Sequence, residues 1–152
     1  MERRVPESCA TILSHMMMPQ HANSAGNVHG GVVMKFIDDA AFVVASRHAR
    51  CNTVTASLDR LDFHKPVHIG DLLIIKACVN YTGTTSMEIG VRVEAEHLRS
   101  GKIHHIASSY LTFVALDDNG RPTAVPQLKL ETEEAIRRYR EAEIRRQNRA
   151  SS

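Results

Sequence analysis

The sequence predicts an α+β fold in which one long central helix is wrapped by an antiparallel sheet, with a charged helix at the C-terminal end. Three observations predict it. Residues 32–45, VVMKFIDDAAFVVA, form the one strongly apolar segment with helical spacing. After Cys51 the pattern switches to period-two alternation. Residues 131–149 carry opposite charges four positions apart. A lone apolar helix followed by a run of strands buries its stripe when the sheet covers it.

Taken in order, residues 7–18 are mixed, with Ile12, Leu13 and the run Met16, Met17, Met18 ending at Pro19, which suits a strand leaving into a loop. Residues 21–31, HANSAGNVHGG, are rich in Gly, Asn and Ser and predict irregular backbone, with Asn27 or His29 beginning the helix. At about 100° per residue, Val33, Phe36, Ile37, Ala40, Ala41 and Val44 share one helical face, which must be buried. Beyond it, Val54, Ala56, Leu58, Leu61 and Phe63 alternate with polar residues. Further strands read at 72–81, 87–95 and 103–114, separated by HKPVHIGD, TGTTS and LRSGK. Asp117, Asp118, Asn119 and Gly120 form a turn, and Pro122 and Pro126 mark an extended linker. The last helix has acids first and bases last, with Glu133/Arg137, Glu134/Arg138 and Glu141/Arg145 as pairs. The expected organisation is one domain over residues 1–130 followed by a helix and tail over 131–152.

A chain of 152 residues can bury a core without staples. The three cysteines, Cys9, Cys51 and Cys78, are scattered and odd in number, so neither a disulfide framework nor a zinc ribbon is indicated. MERRVPESCA does not read as a signal peptide, and no run approaches the roughly 20 apolar residues of a membrane helix. A cytoplasmic protein with no membrane partner is expected. The net charge of +2 points to no polyanion, and the tail RRYREAEIRRQNR is diluted by Glu134, Glu141 and Glu143, so no nucleic-acid partner is expected. His64 and His68 are separated by Pro66, and His104 and His105 point to opposite faces of a strand, so no metal site is expected.

Asp38 is the anomaly, a carboxylate at the margin of the apolar stripe. Asp39 lies further round, near Lys35, as a surface partner. The segment MMPQHANSAGNVHGGVVMKFIDDAA resembles the signature of hotdog-fold acyl-CoA thioesterases of the cytosolic acyl-CoA hydrolase and YciA type. NTVTASLDRLDFHKPVHIGD, YTGTTSMEI and YLTFVALDDNGRP continue the match in order, from about Met16 to Pro126. The resemblance implies a single hotdog domain that hydrolyses acyl-CoA, with coenzyme A as part of the substrate and no separate cofactor. It implies Asp38 as the catalytic carboxylate, Asn23 as the catalytic asparagine and Thr55 as a polar group facing the carboxylate. Gly30 and Gly31 are the implied oxyanion donors, and the helix with its glycine loop receives the pantetheine arm and thioester. Chemistry favours the same roles: N–H groups at a helix N-terminus stabilise a developing oxyanion, and a carboxylate takes a proton from water or attacks directly. No G-x-S-x-G elbow is present.

For the coenzyme A portion, His29 beside the glycines, Thr84, Thr85 and Ser86 in the TGTTS turn, and Arg92 are candidate contacts, with Lys65 and Arg99 as further cations. Met16, Met17, Met34 and Phe42 are candidate liners of the acyl cavity. Two alternatives remain: a hotdog hydratase or dehydratase using His29 with a carboxylate, and a non-catalytic acyl-CoA sensor. Gly30 and Asp38 lie about 12 Å apart along one helix, too far to serve one carbonyl. A homodimer with shared sites is therefore the minimum assembly expected, and the family's habit of forming larger assemblies extends it to a trimer of dimers, a hexamer.

Overall fold

The computed structural model describes residues 11–151, with side chains to 149. The expected strand between residues 7 and 18 is β1, Thr11–Met16. Residues 1–10, including Cys9 and the segment read as carrying no leader, lie outside the described residues. A 3-10 turn, Pro19–His21, precedes α1, Gly30–Ala49. Then come β2, Asn52–Phe63; β3, Leu72–Thr82; β4, Ser86–Glu96; β5, Ile103–Leu116; and α2, Glu133–Ser151. The strands form one antiparallel sheet in the order β1-β3-β4-β5-β2.

Helix α1 lies across one face of the sheet and buries Val33, Ile37, Ala40, Ala41, Val44 and Ala45 against Leu73, Ile75, Ile89, Leu111 and Phe113. The small residues Ala40, Ala41 and Ala45 let the helix sit close to the strands. Of the predicted stripe only Phe36 stays half-buried, its ring stacked on His15 at 4.2 Å. A left-handed Arg50, φ 55°, caps the helix and turns the chain into β2. His48, buried near the helix end, hydrogen-bonds the Pro126 carbonyl at 2.6 Å and fastens the linker expected around Pro122 and Pro126.

Strand β2 departs from the expected facing. Thr53 and Thr55 turn toward α1, while Val54 is 43% exposed and Phe63 45% exposed. Among the described residues β2 is an edge strand paired with β5 alone. Its Leu58 and Leu61 pack against the core, while Val54 and Phe63 lie largely uncovered.

Helix α2 covers the other face of the sheet at β3 and β4. Thr132 caps it through the Ala135 N–H, and Ala142 is buried. Two expected pairings change on folding. Arg138 does pair with Glu134, but Arg137 joins Glu141, and Arg145 leaves its own helix to bind the buried Glu88 of β4. That contact is bidentate, at 2.8 and 2.7 Å, with the guanidinium stacked 3.6 Å over the Tyr110 ring. Asn80 donates a third hydrogen bond to Glu88 at 3.0 Å. Helical spacing could not reveal this partner because it lies on another element.

A buried carboxylate deprived of its cation costs several kcal/mol. Arg145→Ala is therefore expected to lower stability by roughly 3 kcal/mol in urea denaturation, whereas the paired change Glu88→Gln with Arg145→Met recovers most of the loss. A loss below about 1 kcal/mol would mean that solvent already screens the pair.

Candidate active site

Sequence composition makes residues 22–29 irregular, and a web of hydrogen bonds fixes them. Asn23 N–H donates to the Asn27 carbonyl at 2.7 Å, Val28 N–H to Val67 at 2.8 Å and His29 N–H to His21 at 2.8 Å. Gly26, φ 88°, makes the turn between them. The Asn23 Oδ1 accepts from the N–H groups of Ala25 and Asn27 at 2.9 and 3.1 Å. Two backbone donors fix which end of the amide is oxygen, so the Nδ2 group is left to donate outward.

His29 is the N-cap of α1. Its Nδ1 accepts from the Gly31 N–H at 2.9 Å, which requires the neutral ring with the proton on Nε2. This revises the expectation of two free donors. The Gly31 N–H is occupied, while the Gly30 N–H has no partner among the described residues and remains at the positive end of the helix. Within one chain His29, like Gly30, is more than two turns of α1 from Asp38.

Asn23, Gly30 and Val33 line one wall of a cleft of about 290 Å³, and the segment from Phe63 to Val67 lines the other. Asp38 is not in it. That carboxylate lies further along α1, half-buried, where Thr55 Oγ1 of β2 donates to its Oδ1 at 2.7 Å. Its Oδ2 has no partner among the described residues. Met34 and Phe42, one turn before and after Asp38, are each 44% exposed. Asp39 binds Lys35 at 3.0 Å on the surface. Within one chain, then, the donor-bearing loop and the Asp38/Thr55 pair lie apart.

The remaining candidates sit elsewhere. Thr84, Thr85 and Ser86 turn between β3 and β4, where their carbonyls accept from Val125, Ala115 and Gly83 and the Ser86 hydroxyl meets Arg146 of α2. Arg92 shares Glu94 with Lys76, at 3.2 and 2.8 Å; the Lys76 hydrogen bond and then Arg92 hold that carboxyl below its ordinary range. Arg99 follows β4 as an exposed turn residue. Met17, expected as a cavity liner, is 1% exposed in the core, while Met16 is half-exposed. Among the described residues no group of three or more His, Cys, Asp or Glu side chains is placed to hold a metal, and no helix is long and apolar enough to cross a membrane. Cys51 and Cys78 form no disulfide among the described residues, and the Cys78 thiol donates to Asn80 Oδ1 at 3.4 Å.

The sequence profile of the Thioesterase superfamily matches residues 25–102, which include Gly30, Asp38 and Thr55. An acyl-CoA thioester hydrolase of Bacillus subtilis is 42% identical over 89% of this chain and 78% of its own length. The chain belongs to this thioesterase superfamily, with the acyl-CoA thioester hydrolases as its relatives. The rat cytosolic acyl coenzyme A thioester hydrolase is 40% identical over 88% of this chain, which spans only 35% of that larger protein. An apo-hexameric acyl-CoA thioesterase superposes with a TM-score of 0.94 at 38% identity, covering 99% of this chain and 97% of its own. The acyl-CoA hydrolase of Staphylococcus aureus, solved with butyryl coenzyme A and coenzyme A, gives 0.85 at 38% identity, covering 93% and 86%. The hotdog fold expected from the sequence is the fold observed.

The cap makes a stability test available. His29→Ala is expected to cost about 1 kcal/mol in thermal or chemical denaturation, and His29→Asn, which can still cap, should recover most of it. Equal losses for the two variants would show that the ring contributes by packing rather than by accepting from Gly31.

Proposed function

We propose that this protein hydrolyses acyl-CoA to a carboxylic acid and coenzyme A, using two half-sites contributed by two copies of the chain. The observation that carries the reading is the Asp38 carboxylate, held by Thr55 at 2.7 Å on an otherwise apolar helix margin with its second oxygen open. The relatives named as acyl-CoA thioester hydrolases support the reaction. In the Staphylococcus aureus enzyme, structures exist of variants with alanine at one aspartate, one asparagine and one threonine, spaced along that chain as Asp38, Asn23 and Thr55 are spaced here.

In this mechanism Thr55 fixes the carboxylate, and Asp38 Oδ2 takes a proton from water as the oxygen attacks the thioester carbon. Negative charge then develops on the carbonyl oxygen. The Gly30 N–H and the outward Asn23 Nδ2 group meet it, both held by a loop already ordered before substrate arrives. Collapse of the tetrahedral intermediate breaks the carbon–sulfur bond, and the leaving thiolate of coenzyme A regains the proton.

One copy cannot bring these groups together, since Gly30 and Asp38 are about 12 Å apart along a straight helix. Two α1 helices antiparallel about a twofold axis place the N-terminus of one beside Asp38 of the other. The same pairing covers the exposed Met34, Phe42 and Val54. Structural relatives described as hexameric support a trimer of such dimers, and the cytosolic relatives support a cytoplasmic location.

Asp38→Asn is expected to reduce thiol release by at least about a hundredfold with the fold intact by circular dichroism, while Asp39→Asn changes little. Retention of most of the wild-type rate in Asp38→Asn would overturn the mechanism. For the shared site, an Asn23→Ala chain co-expressed with an Asp38→Ala chain should regain activity in tag-purified mixed dimers, because one of the two sites is then intact. Inactive mixed dimers, with mixing verified by mass spectrometry, would place both residues in one subunit's site.

A further inference from the structure

The loop that carries Asn23 is tied to the connection between β2 and β3, and the tie includes a side chain. Within that connection the turn from His68 to Asp71 is closed twice. The Asp71 N–H donates to the His68 carbonyl at 3.1 Å, and the buried Asp71 carboxylate accepts the His68 N–H at 3.0 Å. Gly70, φ 91°, supplies the left-handed step. The same turn grips the end of β1, because Met17, buried in the core, donates to the Asp71 carbonyl at 2.9 Å and accepts from the Gly70 N–H at 2.8 Å. It is a fixed frame. A second cavity, of about 210 Å³, opens beside it, sharing Lys65 and Pro66 with the Asn23/Gly30 cleft and lined in part by His68, Asp71 and Lys102.

From this frame the His68 ring reaches the donor loop. Its Nδ1 lies 3.2 Å from Asn27 Oδ1, and a carbonyl oxygen only accepts, so Nδ1 carries the proton and donates. Asn27 in turn holds Asn23 by two main-chain groups. Its N–H donates to Asn23 Oδ1 at 3.1 Å, and its carbonyl accepts the Asn23 N–H at 2.7 Å. A chain of hydrogen bonds therefore runs from the buried Asp71 through His68 and Asn27 to the amide of Asn23. Asn23 is itself exposed, so hydrogen bonds rather than packing set the direction of its Nδ2 group.

We infer that His68 is a positioning residue for the hydrolysis: it fixes Asn27, and through Asn27 it aims the Asn23 Nδ2 group at the place where the thioester oxygen gains charge. The inference rests on the hydrolase reading above and deepens it, adding a residue that acts only through its neighbours. A donor stabilises an oxyanion most when its direction is set before the charge develops. The main-chain bonds of Val28 and His29 hold the far end of the loop, and the His68 ring holds the residue that meets Asn23. Because the ring is exposed, its removal takes little buried surface from the fold.

In His68→Ala, kcat for butyryl-CoA is expected to fall about tenfold while KM and the melting temperature hold. His68→Asn, whose amide nitrogen stands as many bonds from Cβ as Nδ1 does, should restore the rate, and His68→Gln, whose amide stands one bond further out, should not. The decisive comparison uses an Asn23→Ala background. There His68→Ala should lower kcat no further, because the group it aims is gone. A full additional loss in that background would overturn the assignment, as would a wild-type kcat in His68→Ala or equal losses for the alanine and asparagine variants. If the wild type releases no thiol from butyryl-CoA, the hydrolase reading falls. Hydrogen exchange then decides the chain of contacts by itself. The Ala25 and Asn27 amides donate to Asn23 Oδ1 and should exchange about tenfold faster in His68→Ala, and at the wild-type rate in His68→Asn. Unchanged protection in His68→Ala would overturn the link between His68 and Asn23.

Discussion

The position of α1 across the sheet is the constraint on which the remainder depends. Its buried stripe, Val33 to Ala45, fixes both the rotation and the height of the helix over β3, β4 and β5. Rotation decides that Asp38 emerges at the seam with β2, where Thr55 can reach it. Height decides that the first turn meets the segment from Phe63 to Val67 and opens the cleft there. A cavity in that stripe, as in Ile37→Ala, would cost roughly 2–5 kcal/mol in a packed core and would loosen both half-sites together.

A rigid helix also imposes a separation that the chain does not bridge by itself. The donor loop and the carboxylate are each well supported locally, yet each lacks its complement. The loop is held by backbone bonds to Val67 and His21, and the carboxylate by one hydroxyl. Exposed Met34 and Phe42 flank Asp38, and exposed Val54 lies on a strand whose outer edge is unpaired among the described residues. A uncovered apolar strip and an unpaired edge are what self-association covers. The proposed twofold therefore meets the chemical and the packing requirement with one operation.

Much of this was legible in the sequence because it is local. The 3.6-residue spacing of Val33, Ile37, Ala40, Ala41 and Val44 marks the buried face of α1, and alternation marks β3, β4 and β5. Asp38 stood out as a charge at the margin of that stripe. Features set by distant contacts were not legible. The facing of β2 depends on which of its side chains meet α1, the burial of Met17 on the return of the chain near Asp71, and the partner of Arg145 on β4. The occupation of the Gly31 N–H was hidden for another reason: histidine is an uncommon cap, and only the rotamer of His29 shows that its Nδ1 accepts.

Electrostatics give the two half-sites opposite characters. At the start of α1 the helix dipole, the Gly30 N–H, the Asn23 amide and the nearby Lys65 and Lys102, which have no carboxylate partner among the described residues, all favour negative charge. Asp38 sits well away from them on its own chain, so it does not neutralise those donors. On the outer face Arg138 and Arg145 of α2 are committed to Glu134 and Glu88. A net charge of +2 says little about this arrangement. What matters is which cations are left without a carboxylate, and among the described residues the lysines in that position, Lys65 and Lys102, line the cavity beside the cleft.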